Sequence, residues 1–336
     1  GKEAQDRMCL AALCVGKQPF VLALKIEGMG RNSELFDGIL GMAFPQMLDV
    51  GTRTFFEDLG SGFNNLGFGL VLRGLQSGPS FLTLGEVPEL IRDAEKKAST
   101  KSVTLDVHGF ETRKQAELGE HGPFLFWFVA MELCVRVGGD DSSTLLKLNG
   151  YGIVDSGTSL LLLPMPAYKQ AMWALTFGQK VRAFHHGLVD CESQLNPLVF
   201  HFPGREGDLI LTLSTSDLLL PTPSTWHGRK VCKIGISPLE DDGEGQTLPH
   251  MILGDVFMRK VTSIFDLNHA TVTLVPQKAE DAAWQLEFFE VHQEWPMPLM
   301  LAGVLLLLLL LMLPKWIRFK GSVSMEGGTS YAQLEN

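Results

Sequence analysis

Residues 151–160 read Tyr-Gly-Ile-Val-Asp-Ser-Gly-Thr-Ser-Leu, and the rest of the sequence is best interpreted outward from them. An apolar run of strand length leads directly into Asp155, an acid whose burial is unfavourable unless hydrogen bonds hold it. Small and hydroxylated residues follow it: Ser156, Gly157, Thr158 and Ser159. The Thr158 hydroxyl can hold one carboxylate oxygen while the other faces a ligand. The pattern therefore predicts that the following residues hold Asp155 with one carboxylate oxygen facing a ligand, the alternative being an ordinary turn after a strand.

Apolar runs of similar length continue on both sides of this stretch, between Pro19 and Pro276. Gly, Pro, Asn and Asp separate them, which is typical of short strands joined by turns. The clearest runs are residues 20–24, 68–72, 81–84, 209–213 and 270–275. Helical patterns are confined to residues 87–97 and 166–175. We therefore expect an all-β fold with a few short helices beside the sheets.

The composition of the 336 residues is that of a globular protein with a large core. Hydrophobic residues make up 45% and charged residues 20%, which excludes a disordered chain. The formal net charge of -10 has the wrong sign for binding nucleic acid through its phosphates. The sequence contains neither H-E-x-x-H nor two C-x-x-C pairs, so we expect no metal and interpret His185 and His186 as a surface pair.

A loose internal repeat indicates two related halves. Residues 36–44 read Phe-Asp-Gly-Ile-Leu-Gly-Met-Ala-Phe, and residues 251–257 read Met-Ile-Leu-Gly-Asp-Val-Phe. Both copies contain two apolar residues, a glycine and a further apolar stretch. The acids inside the two copies, Asp37 and Asp255, are interpreted as turn or structural acids.

Three stretches together resemble the C-terminal lobe of the pepsin-like aspartic endopeptidases: residues 154–159, 252–260 and 265–266. Residues 36–45 are similar to the family segment near the end of the N-terminal lobe, and residues 127–133 to the strand after the crossover between lobes. The resemblance extends from about residue 19 to residue 276. It implies a bilobal, all-β acid protease fold and a disulfide between Cys191 and Cys232. It also implies that Asp155 is a catalytic acid and that Ser156, Gly157, Thr158 and Ser159 are supporting or substrate-binding residues.

The resemblance also implies a mechanism, in which each lobe contributes one aspartate and the pair activates a water that hydrolyses a peptide bond without a cofactor. Two carboxylates about 3 Å apart share a proton, so one acts as a base and the other as an acid. Asp155 precedes Ile252 by 97 positions, and an acid placed equally far before Ile39 falls outside the chain. We therefore expect a partial N-terminal lobe, a complete C-terminal lobe and little or no activity from this chain alone.

Two other interpretations stay open. The first is a membrane-anchored, catalytically inactive protein-binding module with the pepsin-like shape. The second is a pair of chains that each contribute Asp155 across a two-fold axis, as in retroviral proteases, although a partial first lobe would obstruct that symmetry. Asp49 also stands in a D-x-G-T pattern, but it follows the Ile-Leu-Gly segment instead of preceding it, and it is not expected to be catalytic.

A membrane-spanning helix is predicted near the C-terminus. Residues 299–313 are all apolar or Gly, and residues 298–317 would measure roughly 30 Å as a helix, enough to cross a bilayer. Trp295 and Trp316 flank the run at the headgroup level. Three cations follow at once: Lys315, Arg318 and Lys320. The positive-inside rule then predicts a single-pass type I membrane protein, with its catalytic part luminal or extracellular. We expect it in the secretory or endosomal pathway.

Five regions follow from these patterns. They are a remnant of the N-terminal lobe with the crossover (1–105), the C-terminal lobe (106–278), a juxtamembrane linker (279–297), the transmembrane helix (298–317) and a cytosolic tail (318–336). The tail contains Tyr331 and Leu334 in a tyrosine-x-x-apolar pattern, a candidate sorting signal for an endocytic adaptor. The expected partners are therefore a polypeptide substrate, the membrane and this adaptor.

The remaining cysteines and aromatic residues are assigned more simply. The spacing of Cys9 and Cys14 leaves their pairing open. Cys134 lies in an apolar, strand-like run, so we interpret it as a small core residue instead of a nucleophile. Phe126 and Trp127 are expected to pack in the core, with a substrate subsite as the alternative.

Overall fold

The computed structural model describes residues 2–10, 13–24, 37–47, 53–60, 64–73, 78–109, 122–137, 143–183, 188–239 and 250–277. The predicted linker, transmembrane helix and tail lie outside these residues, as do Asp49, His185, His186, Tyr331 and Leu334. None of the helices within the described ranges has both the length and the apolar content needed to cross a bilayer.

The described chain is mostly β. The strands are β1 (Lys2–Leu10), β2 (Leu13–Leu22), β3 (Leu66–Val71), β4 (Phe81–Glu86), β5 (Val103–Asp106), β6 (Phe128–Arg136), β7 (Thr144–Val154), β8 (Leu161–Pro164), β9 (Leu188–Asp190), β10 (Leu198–Pro203), β11 (Asp208–Leu213), β12 (Leu219–Trp226), β13 (Arg229–Ile234), β14 (Ile236–Leu239), β15 (His250–Leu253), β16 (Val261–Asp266) and β17 (Thr271–Pro276). The helices are α1 (Phe55–Leu59), α2 (Val87–Ala98), α3 (Met165–Thr176), α4 (Thr215–Leu218) and α5 (Asp255–Met258). The prediction of a mainly β fold with a few helices is confirmed.

Local sequence accounts for the helix boundaries. Thr54 caps α1, because its hydroxyl accepts from the Glu57 backbone N–H while the Glu57 carboxylate accepts from the Thr54 N–H. A proline lies in the first turn of both α2 and α3, where a missing N–H costs nothing. Ser99 ends α2 in the left-handed conformation. The helical patterns at residues 87–97 and 166–175 thus coincide with α2 and α3.

Most of the strands form two large sheets. The seven-stranded sheet has the order β11-β10-β6-β7-β15-β8-β14, and the five-stranded sheet has the order β4-β3-β16-β17-β5. The smaller sheets are β1-β2 and β12-β13-β9. The five-stranded sheet joins β3 and β4 to the final hairpin β16-β17, so segments about 200 residues apart pair directly. The predicted boundary at residue 105 stays a prediction.

Burial follows from how helices cover these sheets. β6 is buried on both faces, with Val129, Leu133 and Val135 fully inaccessible, and α3 packs against it and its neighbours. At the edge, β11 buries alternate residues and exposes the others, the period-2 pattern of a strand with one free face. The strand pattern of the sequence therefore distinguishes central from edge positions in this sheet.

An aromatic cluster packs beside the five-stranded sheet. Phe68 stacks on Phe265 with ring centroids 4.6 Å apart, and Trp127 lies against Phe44 at 4.4 Å. The buried Trp127 indole N–H donates to the Met42 carbonyl at 3.0 Å. Trp127 is therefore a core residue whose polar group is satisfied.

The two copies of the internal repeat adopt different structures. Residues 251–253 lie in β15 and Asp255 begins α5, whereas residues 37–44 form no strand and lead into a single 3-10 turn at Pro45–Met47. β15 has a strand partner on each side, β7 and β8. The first copy has no such partners among the described residues, so the similar sequence stays irregular there.

Candidate active site

Asp155 immediately follows the C-terminal end of β7, a central strand of the seven-stranded sheet. β7 runs parallel to β15, and Val154 is paired with Leu253. Parallel neighbours end at the same edge of a sheet, so the residues that follow the two strands are delivered to one place. The Asp155 backbone N–H donates to the Leu253 carbonyl at 3.2 Å, which fixes the first residue of the loop to the end of β15.

Residues 155–160, which we name the Asp155 loop, cross over the end of β15. β8 begins after the loop and pairs with β15 on the side opposite β7, with Leu161 facing Leu253. The loop therefore passes over Gly254. A Cβ atom on Gly254 would lie 2.2 Å from the Thr158 carbonyl oxygen and 2.4 Å from that of Leu160. Only glycine permits this approach of two backbones.

The Asp155 carboxylate is held on both oxygens by its own loop. Oδ1 accepts the Gly157 backbone N–H at 2.8 Å, and Oδ2 accepts the Thr158 hydroxyl at 2.6 Å. Asp155 and Thr158 are half-buried, whereas Ser156, Gly157 and Ser159 are exposed. The arrangement fixes the direction of the carboxylate and leaves it within reach of solvent. Such an acid can bind a water or a polar ligand group.

The predicted supporting residues contribute in different ways. Gly157 supplies a backbone N–H and Thr158 a hydroxyl to the carboxylate. Ser159 supplies its backbone carbonyl, which accepts the Val256 N–H at 3.4 Å. Ser156 is exposed. Their proposed roles in catalysis or substrate binding stay predictions.

A second acid, Asp255, lies beside the Asp155 loop. Its backbone N–H donates to the Thr158 carbonyl at 2.8 Å, at the first residue of α5. The pKa of its carboxyl is raised to about 6, mainly by burial; the Arg259 guanidinium opposes the rise, and the negative charge of Asp155 adds to it. Burial also lowers the pKa of Arg259. The interpretation of Asp255 as a turn or structural acid did not include this proximity, and that interpretation stays a prediction. The signal in the sequence was an acid soon after the end of each strand: Asp255 follows β15 after one glycine, and Asp155 directly follows β7.

Asp37 is exposed, and it lies in a bend that carries no catalytic geometry among the described residues. Within the described ranges, no group of three or more His, Cys, Asp or Glu side chains is arranged to hold a metal ion.

Four of the five cysteines form two disulfides. Cys191 is joined to Cys232 of β13, as the resemblance implied, and Cys9 is joined to Cys14 across the β1-β2 hairpin. Cys134 is buried and free, and its thiol donates to Glu132 Oε1 at 3.2 Å. Burial, reinforced by the hydrogen bond and charge of Glu132, raises the pKa of this thiol to about 11. Cys134 is therefore a poor nucleophile, in agreement with its interpretation as a core residue.

A surface cavity of about 950 Å³ lies beside the Cys191–Cys232 disulfide. Hydroxyl side chains contribute much of its lining, among them Ser214, Thr215 and Ser216. None of residues 155–160 lines it. The cavity is therefore separate from the acid that the sequence singled out.

Comparison with known proteins gives a consistent result. The sequence profile described as eukaryotic aspartyl protease matches residues 1–277. Mouse gastricsin is 27% identical over 277 residues, covering 81% of this chain and 62% of that protein. Cathepsin D of Chionodraco hamatus is 27% identical over 269 residues, covering 79% and 60%. The chain thus spans about three fifths of the length of the curated relatives that it matches.

A solved structure shares the fold. The crystal structure of the aspartic proteinase from Irpex lacteus superimposes with a TM-score of 0.60 at 20% identity, covering 84% of this chain and 79% of that one.

Proposed function

The chain belongs to the eukaryotic aspartyl protease family, and from that membership we propose that it contributes Asp155 to the two-aspartate site of an aspartic endopeptidase. The observation that carries the proposal is the carboxylate of Asp155, held by the Gly157 N–H and the Thr158 hydroxyl at the end of a sheet and still open to solvent. A carboxylate with a fixed direction can orient a water for attack.

In the proposed reaction, two carboxylates share one proton and hold a water between them. The ionised acid accepts a proton from the water, whose oxygen bonds to the scissile carbonyl carbon, while the protonated acid donates to the carbonyl oxygen. The carbon–nitrogen bond then breaks, and the departing amine takes up a proton. The second aspartate of this reaction is proposed to come from outside residues 1–336, because only Asp155 stands in a D-S-G-T motif after an apolar strand.

The proposed substrate is a polypeptide in extended form with apolar side chains near the cut. An extended chain can bind beside a sheet edge through its main chain, while pockets select its side chains. The reaction uses water and the two acids, so the proposal includes no cofactor or metal.

The proposed location is the luminal or extracellular side of a membrane, with residues 298–317 as the anchor and Tyr331 and Leu334 as a signal for an endocytic adaptor. The two disulfides support an oxidising compartment. Deleting residues 298–317 should release the protein from membranes into the supernatant after carbonate extraction. Retention of the deleted protein in the membrane pellet would contradict the anchor.

The activity is tested on the protein as its native cells make it, purified with an antibody against the exposed residues 223–230. We expect cleavage of unfolded polypeptides at acidic pH, with the cut sites identified by mass spectrometry. Introducing Asp155→Asn into the native gene should lower the rate of peptide cleavage by a factor of about 10²–10⁴, because one of the two catalytic carboxylates is lost. Asp208→Asn, at an exposed position on edge strand β11, is the matched control and should leave the rate unchanged.

The outcomes separate the two candidate functions. Cleavage that survives Asp155→Asn would contradict the proposed site. A native protein that binds peptides without cleaving them would favour the inactive binding module, a reading supported by the presence of a single D-S-G-T acid in this chain.

A further inference from the structure

Two acids leave the same end of the parallel pair β7 and β15. Asp155 follows Val154 directly, and Asp255 follows Leu253 after one glycine, while Val154 and Leu253 are paired. We propose that Asp255 is a positioning residue for Asp155: it secures the Asp155 loop, and its ionisation decides over which pH range that loop carries one negative charge and over which it carries two. The inference rests on the proposed function, since it assigns a regulator to the proposed catalytic acid.

Backbone hydrogen bonds join the Asp155 loop to the start of α5 at three points. Asp155 donates to the Leu253 carbonyl at 3.2 Å, Asp255 donates to the Thr158 carbonyl at 2.8 Å, and Val256 donates to the Ser159 carbonyl at 3.4 Å. The middle bond comes from Asp255 to the residue whose hydroxyl holds Asp155 Oδ2. Any shift of Asp255 is therefore transmitted to the Thr158 side of the carboxylate.

The charged groups around Asp255 are few. The Arg259 guanidinium lies 3.9 Å from Oδ2, and 26% of the Asp255 side chain is exposed. α5 also packs against β8, β15 and β16. β8 and residues 251–253 of β15 contain no titratable residue.

The charged residues of and next to β16 are engaged elsewhere. Asp266, the titratable residue of that strand, pairs with His269, and Lys260 pairs with Asp217. Among the described residues, Asp155 and Arg259 are therefore the charged groups that act on Asp255.

Ionisation of Asp255 changes the electrostatics of the loop. Burial, opposed by Arg259 and reinforced by the Asp155 charge, raises the Asp255 pKa to about 6, so below this pH the side chain is mostly neutral beside the Asp155 loop. Above it, a second negative charge forms next to the first, and among the described residues Arg259 is the cation that compensates. Repulsion between the two acids then acts on the loop hydrogen bonds. We expect the loop to be best ordered on the acidic side of pH 6.

The closing experiment measures protonation and loop order, and it needs no catalytic turnover. The carboxyl carbons of ¹³C-labelled aspartates are titrated by NMR in the full chain, and the Asp255 signal is identified by its loss in Asp255→Asn. In Asp155→Asn, the Asp255 midpoint should fall by at least about half a unit, because a neighbouring negative charge has been removed. Asp208→Asn, a matched loss of charge on β11, should leave the midpoint unchanged.

Loop order is measured by hydrogen exchange of the Gly157 and Asp255 amides between pH 4.5 and 7.5, corrected for the intrinsic pH dependence. In the wild-type chain, protection should fall several-fold as the pH rises through 6. The step should disappear in Asp255→Asn and persist in Asp255→Glu, which restores the charge. A merely structural role for Asp255 predicts no such step.

Two results would overturn the proposal. The first is an Asp255 midpoint that does not move in Asp155→Asn. The second is a protection step that persists in Asp255→Asn. Both measurements remain valid if the protein proves to be a binding module, so failure of this inference and failure of the proposed protease activity are distinguishable.

Discussion

Asp155 and Asp266 are near twins in sequence but differ in their surroundings. Each follows two apolar residues at the end of a buried strand, Ile153-Val154 in one case and Ile264-Phe265 in the other. Each accepts a backbone N–H from two residues further on, Gly157 and Asn268 respectively. Local sequence therefore gives both acids the same first hydrogen bond.

The second carboxylate oxygen distinguishes them. Asp266 is 4% exposed, and its Oδ2 accepts the Asn65 side-chain amide at 3.0 Å and pairs with His269 Nδ1 at 2.8 Å. Its Oδ1 accepts a further N–H, from His269. Among the described residues, the Thr158 hydroxyl is the one hydrogen-bond donor to Asp155 Oδ2, and Asp155 is half-buried. Asp266 is thus a buried structural acid whose two carboxylate oxygens are both hydrogen-bonded within the protein, whereas the Asp155 carboxylate is accessible to solvent.

The difference arises from how the chain continues. After Asp266 the chain reverses in the tight β16-β17 hairpin, so the acid stays within its own turn and against Asn65. After Asp155 the loop crosses the C-terminal end of β15 to reach β8. Asp155 therefore stays at the end of the sheet, where solvent can reach it. An acid at the end of a buried strand is therefore not by itself a functional signal. The path of the next six residues decides whether it is available.

The largest expected effect on stability tests whether the Asp155 loop crosses over Gly254. Gly254→Ala places a Cβ against two backbone carbonyl oxygens of the Asp155 loop, a clash that no side-chain rotation relieves. We expect the free energy of unfolding to fall by more than about 3 kcal/mol, or folding to fail. Gly41→Ala, where nothing lies within 4 Å, is the matched control and should change stability by less than about 0.5 kcal/mol. Urea denaturation measures both, and equal costs for the two substitutions would contradict the crossing.

The next effect concerns the pH dependence of stability through Asp255. Its carboxyl has a pKa of about 6 in the folded chain against 3.8 as the ordinary value, so the folded state holds a proton that the unfolded state has released. Stability should therefore fall as the pH rises from about 4 to 6, by about 2–3 kcal/mol at most, and then stay level as far as this group is concerned.

Asp255→Asn removes that slope and should be more stable than wild type above pH 6, with little difference below pH 4. The comparison is made by urea denaturation at several pH values. A constant difference between the two proteins across this range would show that Asp255 is not protonated at acidic pH, and Asp155 would then have no acid of changing charge beside it.

The smallest expected effect separates the twin acids directly. Asp266→Asn turns an acceptor into a donor facing the Asn65 amide inside a buried site, and we expect a loss of about 2 kcal/mol. Asp155→Asn keeps an oxygen for the Gly157 N–H and offers a donor to the Thr158 hydroxyl oxygen, so its cost should stay below about 1 kcal/mol. Thermal and urea unfolding test the order. A greater loss of stability in Asp155→Asn would make Asp155 the structural acid of the two.

Much of this architecture was accessible from the amino-acid pattern. The runs at 68–72, 81–84, 209–213 and 270–275 coincide largely with β3, β4, β11 and β17, because alternation and turn residues are local signals. The pairing of Cys9 with Cys14 was left open, and it required the hairpin register that places the two residues opposite each other.

The sequence by itself determined that Asp155 ends a strand and meets the hydroxyl of Thr158, because the two residues are three positions apart and their contact is set within one loop. Only the tertiary structure decided that this loop crosses Gly254, that Asp255 lies beside the loop and that Asp266 is buried. Those facts depend on β7 pairing with β15 and on Asn65 reaching the last hairpin, contacts between segments about 100 and 200 residues apart. Pairing over such distances depends on the packing of whole sheets, which no local pattern specifies.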